Sequence, residues 1–118
     1  MPDIRLQTRR FELGGKEYEI LINMNVLADL QEQHDGSLAA VLEAGHGLRT
    51  ALEVLAAMIN EANDLAGSPE RFTAREIGRI LPPSRAAELQ PLVAELLHAA
   101  LAPDESEEDA PESENSKN

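Results

Sequence analysis

Apolar and polar positions change period along the chain, and each change marks an element. Phe11 and Leu13 alternate with polar neighbours, Gly14-Gly15 follows, and Tyr18 and Ile20 alternate with Glu17 and Glu19. Two adjacent glycines supply the positive φ angles of a tight primed turn, so this stretch predicts a β-hairpin with Glu17 and Glu19 on its solvated side. A lone hairpin is marginal in water, so its apolar side needs a cover of helices. Residues 1–9 carry only isolated apolar positions and are expected to form a frayed arm or a first strand.

Beyond Ile22 the period becomes helical. Asn23 is placed to cap a helix in which Met24, Leu27 and Leu30, with Ala28, share one side, and Gly36 stands as its stop. Ser37 is placed to cap the short helix "LAAVLEAG", closed by "GHG". From Leu48 to Ala62, the positions Leu48, Leu52, Leu55 and Ile59, with Ala51 and Met58, form the strongest stripe and predict a central helix. "LAGSPERF" reads as a loop. Thr73 and Glu76 then have the spacing of a capping box ahead of "AREIGRIL", which Pro82-Pro83 ends. Ser84 is placed to cap a last helix with a broad stripe from Leu89 through Leu92, Val93, Leu96, Leu97 and Ala100 to Leu101. Pro91 inside that stripe predicts a break near Gln90.

After Ala102 the apolar pattern stops. Residues 103–118 hold seven acids against Lys117, so half of the formal net charge of −12 falls there and half on residues 1–102. With no apolar residue larger than alanine, burial cannot offset the entropy of ordering this stretch, and it is expected to be a disordered acidic tail. The expectation is therefore an α+β, predominantly helical chain: a small N-terminal hairpin packed on about five helices in one compact domain over residues 1–102, then the tail. Only 3% of residues are aromatic and none is cysteine, which leaves an aliphatic core without disulfides or thiolate chemistry. With neither a signal peptide nor a continuous apolar span, the chain is expected to be soluble and cytoplasmic. Its acidity disfavours binding to phosphate backbones and leaves basic partners open.

No motif carries chemistry. His34, His46 and His98 lie far apart without metal-ligand spacing, so no metal or cofactor is expected. "GHGLRT" lacks the frame of a phosphate-binding loop and reads as a turn between helices. Ser37, Ser68, Thr73 and Ser84 take cap or loop positions without an identifiable base, and Glu17 and Glu19 read as charged surface rather than an acid/base pair. The residues alone lead to an acidic, mostly helical binding module with no catalytic residue. They name neither a partner nor the residues that bind it.

The order of elements is more telling. The hairpin "FELGGKEYEILI", the helix "NVLADLQEQHDGS", a long apolar helix, the capped "FTAREIGRIL" and an acidic terminus together resemble the tail assembly chaperones of long-tailed, siphovirus-like bacteriophages and prophages. The similarity runs over residues 10–102 and is strongest in "GKEYEI" and "LADLQEQHDG". It implies a non-enzymatic factor in the host cytoplasm that binds the tape-measure protein, helps recruit tail-tube subunits and is not retained in the virion. It implies also a longer form made by programmed frameshifting, with which the terminal Ser116-Lys117-Asn118 is compatible as the reading of a slippery heptamer. The free protein is expected to be monomeric or weakly self-associating, without nucleic acid or membrane partners. A tail-completion subunit of the virion and an acidic inhibitor mimicking DNA are the alternatives.

Overall fold

A computed structural model of the chain describes residues 8–34, 37–44 and 47–102. The acidic tail, the arm before Thr8, the Gly36 stop and His46 lie outside the described residues.

Strands β1 (Arg9–Leu13) and β2 (Lys16–Ile20) pair antiparallel, with Leu13 opposite Lys16 and Arg9 opposite Ile20. The turn between them holds Gly14 at φ +62° and Gly15 at φ +83°, both in the left-handed region that glycine enters without steric cost. Alternation does the rest: Phe11, Leu13, Tyr18 and Ile20 are buried, while Glu12, Glu17 and Glu19 are exposed. Gly14 is also close to a neighbour, since a β-carbon there would stand 3.1 Å from Ile80 Cγ2, whereas one at Gly15 meets nothing within 4 Å. Gly14→Ala is therefore expected to cost the left-handed penalty of about 1–2 kcal/mol plus a steric increment, and Gly15→Ala the penalty alone. Urea unfolding of the two variants checks the ranking.

Five α-helices follow: α1 (Met24–Gln33), α2 (Leu38–Ala44), α3 (Leu48–Ala66), α4 (Ala74–Ile80) and α5 (Ala86–Leu101). Local chemistry sets three of their starts. Asn23 Oδ1 accepts from Val26 N at 3.1 Å, Ser37 Oγ from Ala40 N at 3.1 Å, and Thr73 and Glu76 exchange both bonds of a capping box. Helix α3 is the axis of the fold and packs against β2, α1, α2, α4 and α5. Its Ala51, Val54, Leu55, Met58 and Ile59 are fully buried and join Phe11, Leu30, Ile77, Leu89, Val93 and Leu97 in one core. The architecture is the expected α+β one, dominated by helices with a two-stranded N-terminal hairpin.

Several details differ from the expectations. Met24 is 79% exposed and Leu27 only half-buried, because α1 turns Val26 and Leu30 toward α3 instead. Leu48 is likewise exposed, although Thr50 and Ala51 in the same first turn of α3 are buried. Helix α3 runs four residues past Ala62, through Leu65 and Ala66, until Gly67 at φ +78° closes it; the loop begins later than read. Ser84 caps nothing: it sits within a 3-10 turn, Pro83–Arg85, and Arg85 precedes α5 in helical geometry without a side-chain cap. Helix α5 does not break near Gln90 but continues through Pro91. The ring stands on the exposed side in the second turn, where it removes the single bond to the Ala87 carbonyl, and buried Leu89 and Val93 anchor the helix on both sides of it.

The loop between α3 and α4 is held by side-chain amides. Asn60 donates to Phe72 O and accepts from Phe72 N, both at 2.8 Å, as a strand partner would, and Asn63 donates to Glu70 O at 3.1 Å. Arg85 fastens the hairpin to the start of α5: it donates to Glu12 O and to Glu88 Oε2 at 2.7 Å and lies 4.6 Å from the Phe11 ring centroid. The bond from Arg85 holds the Glu88 carboxyl below its ordinary value, and Glu88 in turn raises that of Arg85.

Candidate partner-binding groove

The end of the hairpin does not follow strand alternation. Ile20, Leu21 and Ile22 are three apolar residues in succession, and an extended chain with one covered side can bury only alternate ones. Ile20 and Leu21 reach the core, Ile22 stays half-buried, and the exposed Met24 follows. Helix α5 lies opposite with half-buried Leu96 and exposed Ala99 and Ala100. Between these walls is an open groove of about 320 Å³, lined by residues 20–24, Leu27, Leu96, Ala99 and Ala100.

Polar contacts fix both walls. Asn23 and Asn25 donate to the same oxygen of Glu61, at 2.8 and 3.2 Å, and tie the start of α1 to α3. Arg9 pairs with Glu95 at 3.3 Å, which holds the root of β1 beside α5 one residue before Leu96. The pair is exposed on both sides and positions more than it stabilises. Among the described residues its lining side chains are aliphatic apart from Asn23 and none is ionisable, so it is suited to receiving aliphatic side chains and not to acid/base work.

Two other depressions carry charged side chains in their linings. One, between α1, α3 and the loop before α4, carries Asp29, Glu53, Glu61 and Asp64, with Arg71 paired to Asp64 at 3.1 Å. At its edge His34 Nε2 stands 3.2 Å from Glu53 Oε1 without hydrogen-bond alignment. The other lies along β2 and the end of α3. There Tyr18 donates to Glu70 Oε2 at 3.0 Å, Lys16 lies 5.0 Å from the Tyr18 ring centroid and 3.4 Å from Glu70, and Phe72 meets the tyrosine edge-on at 5.4 Å.

Burial pushes the Tyr18 hydroxyl above its ordinary value of 10.0, and Glu70 adds to this by its hydrogen bond and charge against a smaller opposite effect of Lys16. A value raised on folding means that the folded state keeps the proton longer. The stabilisation is thus complete below the unfolded value near 10 and is lost as pH rises through the folded one. Stability of the native chain is expected to fall more steeply above pH 10 than that of Tyr18→Phe, as urea midpoints between pH 8 and 11 will register.

The residues weighed from sequence are not brought together. Among the described residues no group of three His, Cys, Asp or Glu side chains forms a metal-ligand set. His34 follows the end of α1 and His98 lies on α5, Ser37 and Thr73 act as caps, Ser68 Oγ accepts from Glu70 N, and Glu17 and Glu19 face solvent on the hairpin. The groove residues were not singled out as a site; the run Ile20-Leu21-Ile22 ahead of Met24 was the signal that could have found them. No described helix is long and apolar enough to cross a membrane. No protein-family model, curated protein or solved structure matches the chain.

Proposed function

We propose that this protein is a non-enzymatic tail assembly chaperone of a long-tailed phage or prophage, and that the groove between residues 20–24 and α5 holds apolar side chains of a helical segment of the tape-measure protein. The observation that carries the reading is the groove itself: an open cleft lined mainly by aliphatic side chains beside Asn23, with an exposed methionine in its lining. Its volume suits a few anchoring side chains spaced along one face of a helix rather than a whole helix, which is how amphipathic segments engage such surfaces. Methionine at the rim is unbranched and adapts to anchors of different shape. The order of hairpin, helices and acidic terminus supports the same role by its resemblance to these chaperones.

In this role the chain works in the host cytoplasm, masks apolar stripes of a long helical protein prone to aggregate, helps bring tail-tube subunits to it, and leaves before the virion is complete. The net charge of −12 keeps the complex soluble and repels further copies. Co-expression with a candidate tape-measure protein from the same genome tests the reading. The partner is expected to become soluble and to copurify only in company of this chain. A partner insoluble either way, or this chain found in purified particles, would overturn it.

A further inference from the structure

The hairpin is a sheet of two strands, so each strand has one outer edge. The Gly14-Gly15 turn is closed by Leu13 and Lys16, a pair that exchanges both main-chain bonds, and alternation makes Phe11 with Tyr18 and Arg9 with Ile20 the next such pairs. The main-chain groups of Arg10, Glu12, Glu17 and Glu19 therefore point away from the ladder. On β1 this edge is engaged, since Arg85, just ahead of α5, donates to Glu12 O. On β2 it is open: among the described residues nothing bonds to the main chain of Glu17 or Glu19. Their N–H and C=O groups stand beside a depression of about 350 Å³ whose far side is formed in part by Ala62, Ala66 and Ser68. These small side chains leave room for those of an added strand.

Charge selects what the edge accepts. The solvated face of the hairpin carries Glu12, Glu17 and Glu19 against Arg10, and Glu12 and Glu17 stand directly opposite each other. Arg10 pairs with Glu17 at 3.4 Å, while Glu19 has no ion-pair partner among the described residues. We propose that the outer edge of β2 binds an extended basic segment of a partner polypeptide as a third, antiparallel strand, with lysine or arginine opposite Glu17 and Glu19 and small aliphatic side chains over the depression. Antiparallel pairing is the more stable per residue and sets each basic side chain directly beside its acid. A second copy does not fit, because pairing β2 with β2 of another molecule would bring Glu17 and Glu19 against the same two acids. The edge shares no lining residue with the groove, so the proposal does not depend on the tape-measure reading.

The probe is a capped hexapeptide of alternating lysine and valine, added to the full-length protein. At a peptide concentration about ten times its Kd, amide exchange of Glu17 and Glu19 is expected to slow about tenfold, because bonded amides exchange only from the free protein. Exchange of Arg10 and Glu12, on the other edge, should not change. In the antiparallel register the lysines exchange the main-chain bonds, so N-methylation of the lysine amides should abolish the slowing and N-methylation of the valine amides should preserve it. Glu17→Lys with Glu19→Lys, at two exposed positions, should weaken binding of this peptide about tenfold and confer binding of the glutamate and valine counterpart. No slowing at Glu17 and Glu19, equal slowing by the lysine-methylated peptide, or an unchanged Kd for the charge-reversed protein would overturn the proposal. None of these readouts involves the groove or the tape-measure protein, so each can fail while the chaperone reading stands.

Discussion

Leu55→Ala is expected to lower the free energy of unfolding by about 3 kcal/mol. The side chain is fully buried at the middle of α3, the helix against which every other helix and β2 packs. Removing it takes away the transfer energy of its methyl and methylene groups and leaves a cavity that elements on several sides cannot all close. For a core of aliphatic side chains with two phenylalanines and one tyrosine, this is a large share of a typical total of about 5–15 kcal/mol. The urea midpoint should fall with an unchanged slope. Leu65→Ala, on the same helix but 61% exposed, should change stability by less than about 0.5 kcal/mol, so the contrast separates burial from helix propensity. Equal losses at the two positions would mean that α3 is not the axis of the fold.

The second large effect concerns binding. Met24→Glu combined with Ala100→Lys places charges on both walls of the groove while leaving net charge unchanged. Both positions are exposed, and each new charge suits the helix end on which it lies, acidic at the start of α1 and basic at the end of α5. The fold should therefore survive with its midpoint nearly unmoved. Aliphatic anchors of a partner would then meet charges that must lose water, at about 2 kcal/mol or more, or roughly thirtyfold in affinity. In co-expression the partner should return to the insoluble fraction. A variant that solubilises the partner as well as the native chain would remove the groove from the account.

What was legible in the sequence was what short-range chemistry decides. Gly14-Gly15 marks its turn because few other pairs enter two successive left-handed conformations, and Asn23, Ser37 and the pair Thr73 and Glu76 mark helix starts because their hydrogen bonds close within three residues. Which part of an apolar stripe faces inward was not legible. Met24 and Leu48 share spacing with buried neighbours, yet each is exposed while Val26, and Thr50 with Ala51, in the same first turns are buried. Pro91 illustrates the same point from the other direction: its local cost is real, but Leu89 and Val93 pack on both sides of it and tertiary contacts carry the helix through. The Asn60 and Asn63 clamps connect residues that only the folded chain brings together, so "LAGSPERF" gave no sign of them. The groove was half legible, as three successive apolar residues where alternation allows two.

The proposal that this groove holds the partner is tested most directly by a photo-crosslinking residue placed at Met24 and, in a separate protein, at Leu65, each co-expressed with the candidate tape-measure protein and irradiated. Both positions are exposed and of the two only Met24 lines the groove, so reagent and folding are matched. The account predicts a covalent adduct with the partner from position 24 and none from position 65. An adduct from position 65 alone, or from neither while the partner still copurifies, would contradict it and place the binding surface elsewhere.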